Sequence, residues 1–401
     1  MRSSPESWPT VLFVSRVSPF HERGGMQAVA WDVARALAQS GVPVTFMTTA
    51  IPGREAAFEE DGVHVEALAG TKPARYSRSW WRRSRERFQN RWSKTARAVL
   101  SVSAGAYSLL SLPRPAPPIR FVMQAHGTAL GEVMSTWRTR DPRALVQSAY
   151  YLACLTRDLR AYPRFDAIVA VGRPVFRALG RPPVSWSLPG DRLRLIENGV
   201  DISLFTPNAV DRAQMREAIG WAPDDVVIVT VSRLHRQKGV DLALRGFAEF
   251  GRSQQHARFL VVGGGPQRAD LERLAASLGV SDRVRFTGDL PREEVPRYLR
   301  AGDAFLFATL AEEGLPLNVL EAAAVGLPMV VPRSLEALAS QCGPTRSVNP
   351  REARDVARAL DELVGPDRQG HRRTPVTFPE LYTLDHCVRQ YRDVLLPPEG
   401  S

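Results

Sequence analysis

VVIVTVSRLHRQKGVDLAL, residues 226–244, decides how this chain folds. Six consecutive β-branched residues give way to a polar loop, and then Val240, Ala243 and Leu244 recur at helical spacing. Without polar alternation, such a run reads as a strand buried on both faces. A strand leading through a loop into a helix is the repeating unit of a doubly wound α/β sheet.

The same grammar extends outward. Phe259–Val262, Val284–Phe286, Ala304–Ala308 and Met329–Val331 read as further strands, with helical patterns at 239–252, 267–278, 292–300 and 317–325. Upstream, Val11–Val14 is a short buried strand, and Met26, Val29, Ala30, Val33 and Leu37 mark a helix. Val42–Thr48 and Ala167–Val171 are strands, and RLRLIENGVD at 192–201 closes the first half. Strands alternating with helices in both halves predict two doubly wound, Rossmann-like domains, 1–203 and 204–376, hinged near Pro207–Asn208. A closing segment, 377–401, carries Leu384, Val388, Tyr391 and Leu395 at helical spacing.

A chain of 401 residues exceeds one typical core, which agrees with two domains. Cys154, Cys342 and Cys387 form no C-x-x-C pair, so reduced thiols are expected rather than a disulfide framework or zinc site. The run Val11–Val14 is too short for a signal-peptide core, and no window reaches the length of a membrane span. The expectation is a cytoplasmic protein. Its net charge of +11 is concentrated in residues 72–97, which hold ten Lys or Arg against the single acid Glu86.

In open parallel sheets, ligands bind where strands pass into helices at the carboxyl edge. Arg233 and Lys238 lie in such a loop, where a helix N-terminus and two cations would suit a diphosphate. The chain has only three lysines, Lys72, Lys94 and Lys238, so a compact ammonium at 238 stands out in an arginine-rich sequence. The competing reading is two solvated surface cations. Gly264, within VVGGGPQ, either admits a ligand close to the backbone or makes a tight turn. Gly314, Leu315 and Pro316 lead into a helix of Leu, Val and Ala on which Asn318 and Glu321 share one face. Glu321 is placed to accept from vicinal hydroxyls, as on a ribose, and Glu313 from a sugar; a partly exposed helix end is the alternative. Gly24 and Gly25 permit close approach after the first strand, and His126 follows an apolar strand-like run. A lone histidine is more often structural than catalytic.

Taken in order, GG at 24–25, HG at 126–127, IENGVD at 196–201, SRLHRQKG at 232–239, VGGGP at 262–266 and the Glu313–Glu321 spacing resemble the family-4 glycosyltransferases of GT-B architecture. The resemblance implies two facing Rossmann-like domains, with a C-terminal helix crossing back to the first. It implies a nucleotide-sugar donor held by the second domain and an acceptor, such as a lipid-linked or polysaccharide precursor, on the first. Arg233 and Lys238 would then be diphosphate ligands, with Glu321 on the ribose and Glu313 and His126 near the reacting sugar. Gly25 would lie close to the phosphates. It further implies retention of anomeric configuration. No D-x-D sequence of the kind used by metal-dependent glycosyltransferases is present, so neither metal nor cofactor is expected.

Residues 72–118 match no general pattern of that family. If 78–97 is helical, Trp81, Phe88 and Trp92 fall near one face amid arginines, as in a helix lying on an anionic membrane at the inner face of the cell. A mobile loop over the acceptor is the competing account, and nucleic-acid binding is not expected because no recognition module accompanies the charge. Other enzymatic alternatives are a GT-B sugar-nucleotide epimerase or hydrolase and, less well matched, a nicotinamide dehydrogenase, since VGGGP lacks the full dinucleotide fingerprint.

Overall fold

The computed structural model describes residues 10–22, 24–114, 118–129, 144–311, 313–365 and 377–398. The chain divides into two compact units, Met1–Gly199 with Leu384–Ser401, and Val200–Thr383.

The first unit is built on eight strands: β1 (Thr10–Val14), β2 (Val44–Thr49), β3 (Ala57–Glu60), β4 (Val63–Leu68), β5 (Ala96–Val102), β6 (Arg120–Ala125), β7 (Ala167–Ala170) and β8 (Leu193–Leu195). Their order is β3-β4-β2-β1-β5-β6-β7-β8, and every pairing is parallel except the antiparallel β3–β4. Val11 and Phe13 of β1 join a core that includes the helices Gly25–Gln39 and Leu384–Leu395. Leu12 and Val14 point to the other face, toward the helices Arg78–Asn90 and Ala144–Ala161. Burial on both faces explains why this strand is a continuous apolar run.

The second unit has six strands, β9 (Val226–Val231), β10 (Ala257–Val262), β11 (Val284–Gly288), β12 (Ala304–Leu306), β13 (Met329–Pro332) and β14 (Thr345–Val348), all parallel in the order β11-β10-β9-β12-β13-β14. Helices Val240–Phe250, Arg268–Ser277, Val295–Ala301 and Leu317–Ala324 follow the first four predicted helical stretches. The third begins later than expected, because Arg292–Glu294 first make a turn with Glu294 N–H on the Pro291 carbonyl.

The last helix returns to the first unit at Leu384 rather than at 377. The residues before it stay with the second unit because Val200 N–H donates to the Tyr382 carbonyl at 2.8 Å and Val200 bridges Thr383. Leu384, Cys387, Val388, Tyr391 and Leu395 form its buried stripe. The connector at 366–376 lies outside the described residues. All three cysteines are free. Among the described residues no helix is long and apolar enough to cross a membrane.

The basic segment is a correction to the sequence expectation. Arg78–Asn90 is a helix, capped by the Ser77 side chain, but its aromatic face does not face outward. Phe88 and Trp92 are buried in the core of the first unit, and Trp81 stacks on Tyr76 at 4.9 Å between ring centres. Buried Glu66 on β4 receives Arg87, Arg91 and Trp92 Nε1 at 2.8–3.1 Å. Two arginines and two aromatics are thereby committed to folding, while Arg78, Arg82, Arg83 and Arg85 remain exposed.

Candidate active site

In the second unit the strand order reverses between β9 and β12, so the loops after these two strands emerge side by side. That topology joins residues far apart in sequence. The loop after β9 carries Arg233 and, in a short 3₁₀ turn, Lys238. The loop after β12 carries Glu313 and Gly314–Pro316. Lys238 Nζ donates to Glu313 Oε1 at 2.7 Å, and Thr309 Oγ1 donates to the same oxygen at 2.9 Å. The two loops are fastened by their backbones, since the Gln237 carbonyl accepts from the N–H of Leu310 and Ala311. Gly239 is obligatory here. Its φ is +62°, and a Cβ would lie 2.0 Å from the Ala308 carbonyl oxygen. Lys238 and Glu313 are largely buried, whereas Arg233 is exposed in the same loop.

Pro316 occupies the N-cap position of the helix Leu317–Ala324. Asn318 spends its amide on the Val231 carbonyl at the end of β9, at 2.7 Å. Glu321 is buried and pairs with Arg292 Nη1 at 2.8 Å, while the Arg292 guanidinium sits 5.6 Å from the centre of the Phe205 ring. The carboxylate on this apolar helix is thus met by a guanidinium from the loop after β11.

The glycine loop after β10 serves the backbone. Cβ atoms at Gly263 and Gly265 would approach the Ser232 and Leu234 carbonyl oxygens to 2.1 and 2.6 Å. Gly264 N–H donates to Asp289 Oδ1 at 2.9 Å. The tight turn therefore accounts for Gly263 and Gly265, which brace the Arg233 loop.

In the first unit the order reverses at β1, which lies between β2 and β5. Gly24 and Gly25 follow β1 at this point. Gly25 opens the 15-residue helix, and a Cβ there would meet no atom within 4 Å, so packing does not require glycine at 25. His21, in the same loop, is structural: its ring joins Ser18 to the Thr49 and Ala50 carbonyls, and burial pushes its imidazole below its ordinary value.

His126 sits at the carboxyl end of β6, half-buried, with Nε2 2.9 Å from Gln124 Oε1. Gln124 donates through its amide nitrogen to the Tyr391 hydroxyl at 2.8 Å. Its oxygen therefore faces His126, so Nε2 carries the proton and Nδ1 is left as an acceptor. Burial pushes the imidazole down to about 3, which keeps it neutral near pH 7.

Thr309, Asp289, Arg292 and Gln124 are supporting residues that pattern reading did not single out, and Tyr391 was legible only as part of a helical stripe. Arg292 lies just beyond a strand end, where the carboxyl-edge rule could have found it. Tyr391 comes from a helix distant in sequence, and no local signal marks its bond to Gln124.

These features define the class: a GT-B chain with a cation–carboxylate pair at the switch point of its second Rossmann-like unit. A family model described as Glycosyltransferase Family 4 matches residues 23–204, and one described as Glycosyl transferases group 1 matches 211–367. The protein belongs to the family-4 glycosyltransferases. Among similar proteins, the GDP-mannose-dependent alpha-(1-6)-phosphatidylinositol monomannoside mannosyltransferase of Mycolicibacterium smegmatis is 39% identical over 152 residues, 36% of this chain and 40% of that one. D-inositol 3-phosphate glycosyltransferase of Frankia alni is 32% identical over 225 residues, 52% of this chain and 54% of that one. The chain thus spans about half or less of the curated relatives it matches. In fold it is similar to sucrose-phosphate synthase from Thermosynechococcus elongatus, with a TM-score of 0.72 at 18% identity over 96% of this chain and 98% of that one.

Proposed function

We propose that the protein transfers a sugar from a nucleoside-diphosphate sugar to a hydroxyl acceptor, with retention of configuration and without a metal ion. The observation that carries this reading is the Lys238–Glu313 contact, a cation and a carboxylate brought together at the switch point of the second unit. Breaking the bond between the anomeric carbon and the phosphate oxygen leaves the electron pair on the diphosphate. Lys238 and Arg233 supply positive charge for that leaving group, the part a divalent ion plays elsewhere. The acceptor hydroxyl attacks from the same face and passes its proton to the departing phosphate. Glu313 takes a hydroxyl of the donor sugar once the diphosphate claims Lys238, and Glu321 takes the ribose. Gly25 admits phosphate oxygens to the start of its helix. Neutral His126, with Nδ1 free to accept, orients a sugar hydroxyl rather than shuttling a proton.

GDP-mannose and inositol-bearing acceptors are the first substrates to try, because the similar Mycolicibacterium smegmatis enzyme is a GDP-mannose-dependent phosphatidylinositol monomannoside mannosyltransferase. The exposed Arg78, Arg82, Arg83 and Arg85 support attachment to an anionic inner membrane surface by charge alone, since the aromatic face of their helix is buried.

The test is product analysis. Incubation with GDP-, UDP- and ADP-sugars should yield a glycosylated lipid or polyol only when an acceptor is supplied. Free sugar, or an epimerised nucleotide sugar, from donor alone would instead establish the hydrolase or epimerase reading.

A further inference from the structure

The first unit holds a pocket that the transferase reading does not use. It encloses about 270 Å³, several times the share of one water molecule, between the end of the helix Ala144–Ala161 and the loop after β5. Its lining includes Tyr107, Thr156, Arg157, Arg160 and Arg164. Arg164 lies just before β7 begins, at the amino edge of the sheet, and Tyr107 lies in the loop that leaves β5. Gly24, Gly25 and His126 stand at the carboxyl edge.

Charge in this pocket is strongly one-sided. Three guanidinium groups converge on it. The acid beside them, Asp158, is buried and already accepts from the Tyr107 hydroxyl at 3.0 Å and from Tyr162. Arg157 is held between rings, 5.4 Å from the centre of Tyr107 and 5.9 Å from that of Trp81, and its buried Nε–H has no hydrogen-bond acceptor among the described residues. Cations at a helix C-terminus complement its dipole, but one would suffice for that. Three guanidinium groups lining one pocket suit an anion. The exposed Arg85 adds to the field, because its helix is tied to the same loop through Arg85–Ser111 at 3.2 Å and Ser84–Ser108 at 3.0 Å.

We propose that Arg157, Arg160 and Arg164, with Tyr107, form a binding site for a phosphate group separate from the donor loops. Planar guanidinium forks suit the oxygens of a phosphate ester, and Tyr107 offers a ring to the attached alcohol. The ligand is either a soluble phosphate ester or the headgroup of an anionic phospholipid.

Binding of glycerol 3-phosphate, and of phosphatidylcholine vesicles with and without phosphatidylglycerol, should be measured calorimetrically on the full chain. Wild type, Arg160→Gln/Arg164→Gln and Lys238→Ala are compared. Both substituted arginines are exposed, so the double variant should fold. Saturable binding of glycerol 3-phosphate that weakens at least ~10-fold in the double arginine variant, and persists in Lys238→Ala, supports the site and a soluble ligand. The same dependence seen only with phosphatidylglycerol vesicles supports it with a headgroup as ligand. Binding lost only in Lys238→Ala assigns the phosphate to the donor loop and overturns the proposal, as does binding equal in all three proteins or absent from wild type. Neither result bears on transfer, so this inference and the transferase reading fail separately.

Discussion

Replacing Glu66 with Gln removes the charge that anchors the basic helix, and its cost can be worked from the structure. Burial by itself pushes the Glu66 carboxyl up, but the His64 imidazole 3.6 Å away and hydrogen bonds from Arg87 and Trp92 prevail and hold it down to about 2, against an ordinary value of 4.5. A depression of that size corresponds to roughly 3 kcal/mol of stability near pH 7. The side chain is only 3% exposed, so solvent screens little of this. The sign is fixed: a lowered carboxyl stabilises the fold above its unfolded value of 4.5, and the contribution fades as pH falls toward about 2. The raised His64 acts oppositely, favouring the fold below 6.5 and losing its contribution as pH rises through its folded value. Glu66→Gln should therefore lower the melting transition of the first unit by ~6–12 °C at pH 7, at ~2–4 °C per kcal/mol for a unit of this size. At pH 3 the gap in stability should shrink to roughly half or less. Thermal and urea unfolding of both proteins across pH 3–8 would measure it. A loss below ~1 kcal/mol at pH 7, or a gap indifferent to acid, would refute the view that Glu66 neutralises this helix.

Other consequences concern the candidate site. Lys238→Ala should reduce transfer by ~10²-fold or more and abolish most of the thermal shift produced by the preferred nucleoside diphosphate, while circular dichroism stays native. Arg292→Ala should destabilise the second unit by roughly 3 kcal/mol by depriving buried Glu321 of its guanidinium; an unchanged urea midpoint would show that its remaining bonds suffice. Because burial keeps His126 neutral down to about pH 3, the rate profile should have no limb from an imidazole titrating between pH 5 and 8. A limb in that range that vanishes in His126→Asn would mean that the residue gains and loses a proton during turnover.

Much of this protein is determined by local sequence. The run 226–231 became β9 with the same bounds, and 384–395 became the closing helix, because burial on both faces of a strand or along one stripe of a helix leaves a pattern that neighbours in sequence share. The loops at strand ends were legible for the same reason, since polar residues after an apolar run mark the carboxyl edge. Weaker elements escaped. β3 and β14 are partly exposed edge strands, and the helix Ala209–Ala218 packs through the guanidinium of buried Arg216 as well as through Met215. Sequence reading also took the aromatic side of the basic helix as free for a membrane. Only the tertiary structure shows that Phe88 and Trp92 fill the core and that Glu66, on a strand earlier in the chain, claims Arg87 and Arg91. The pairings of Lys238 with Glu313, Glu321 with Arg292 and His126 through Gln124 with Tyr391 belong to the same class. Periodicity reports which face of an element is buried, but the partner it meets there is chosen by strand order, and strand order is a property of the folded sheet.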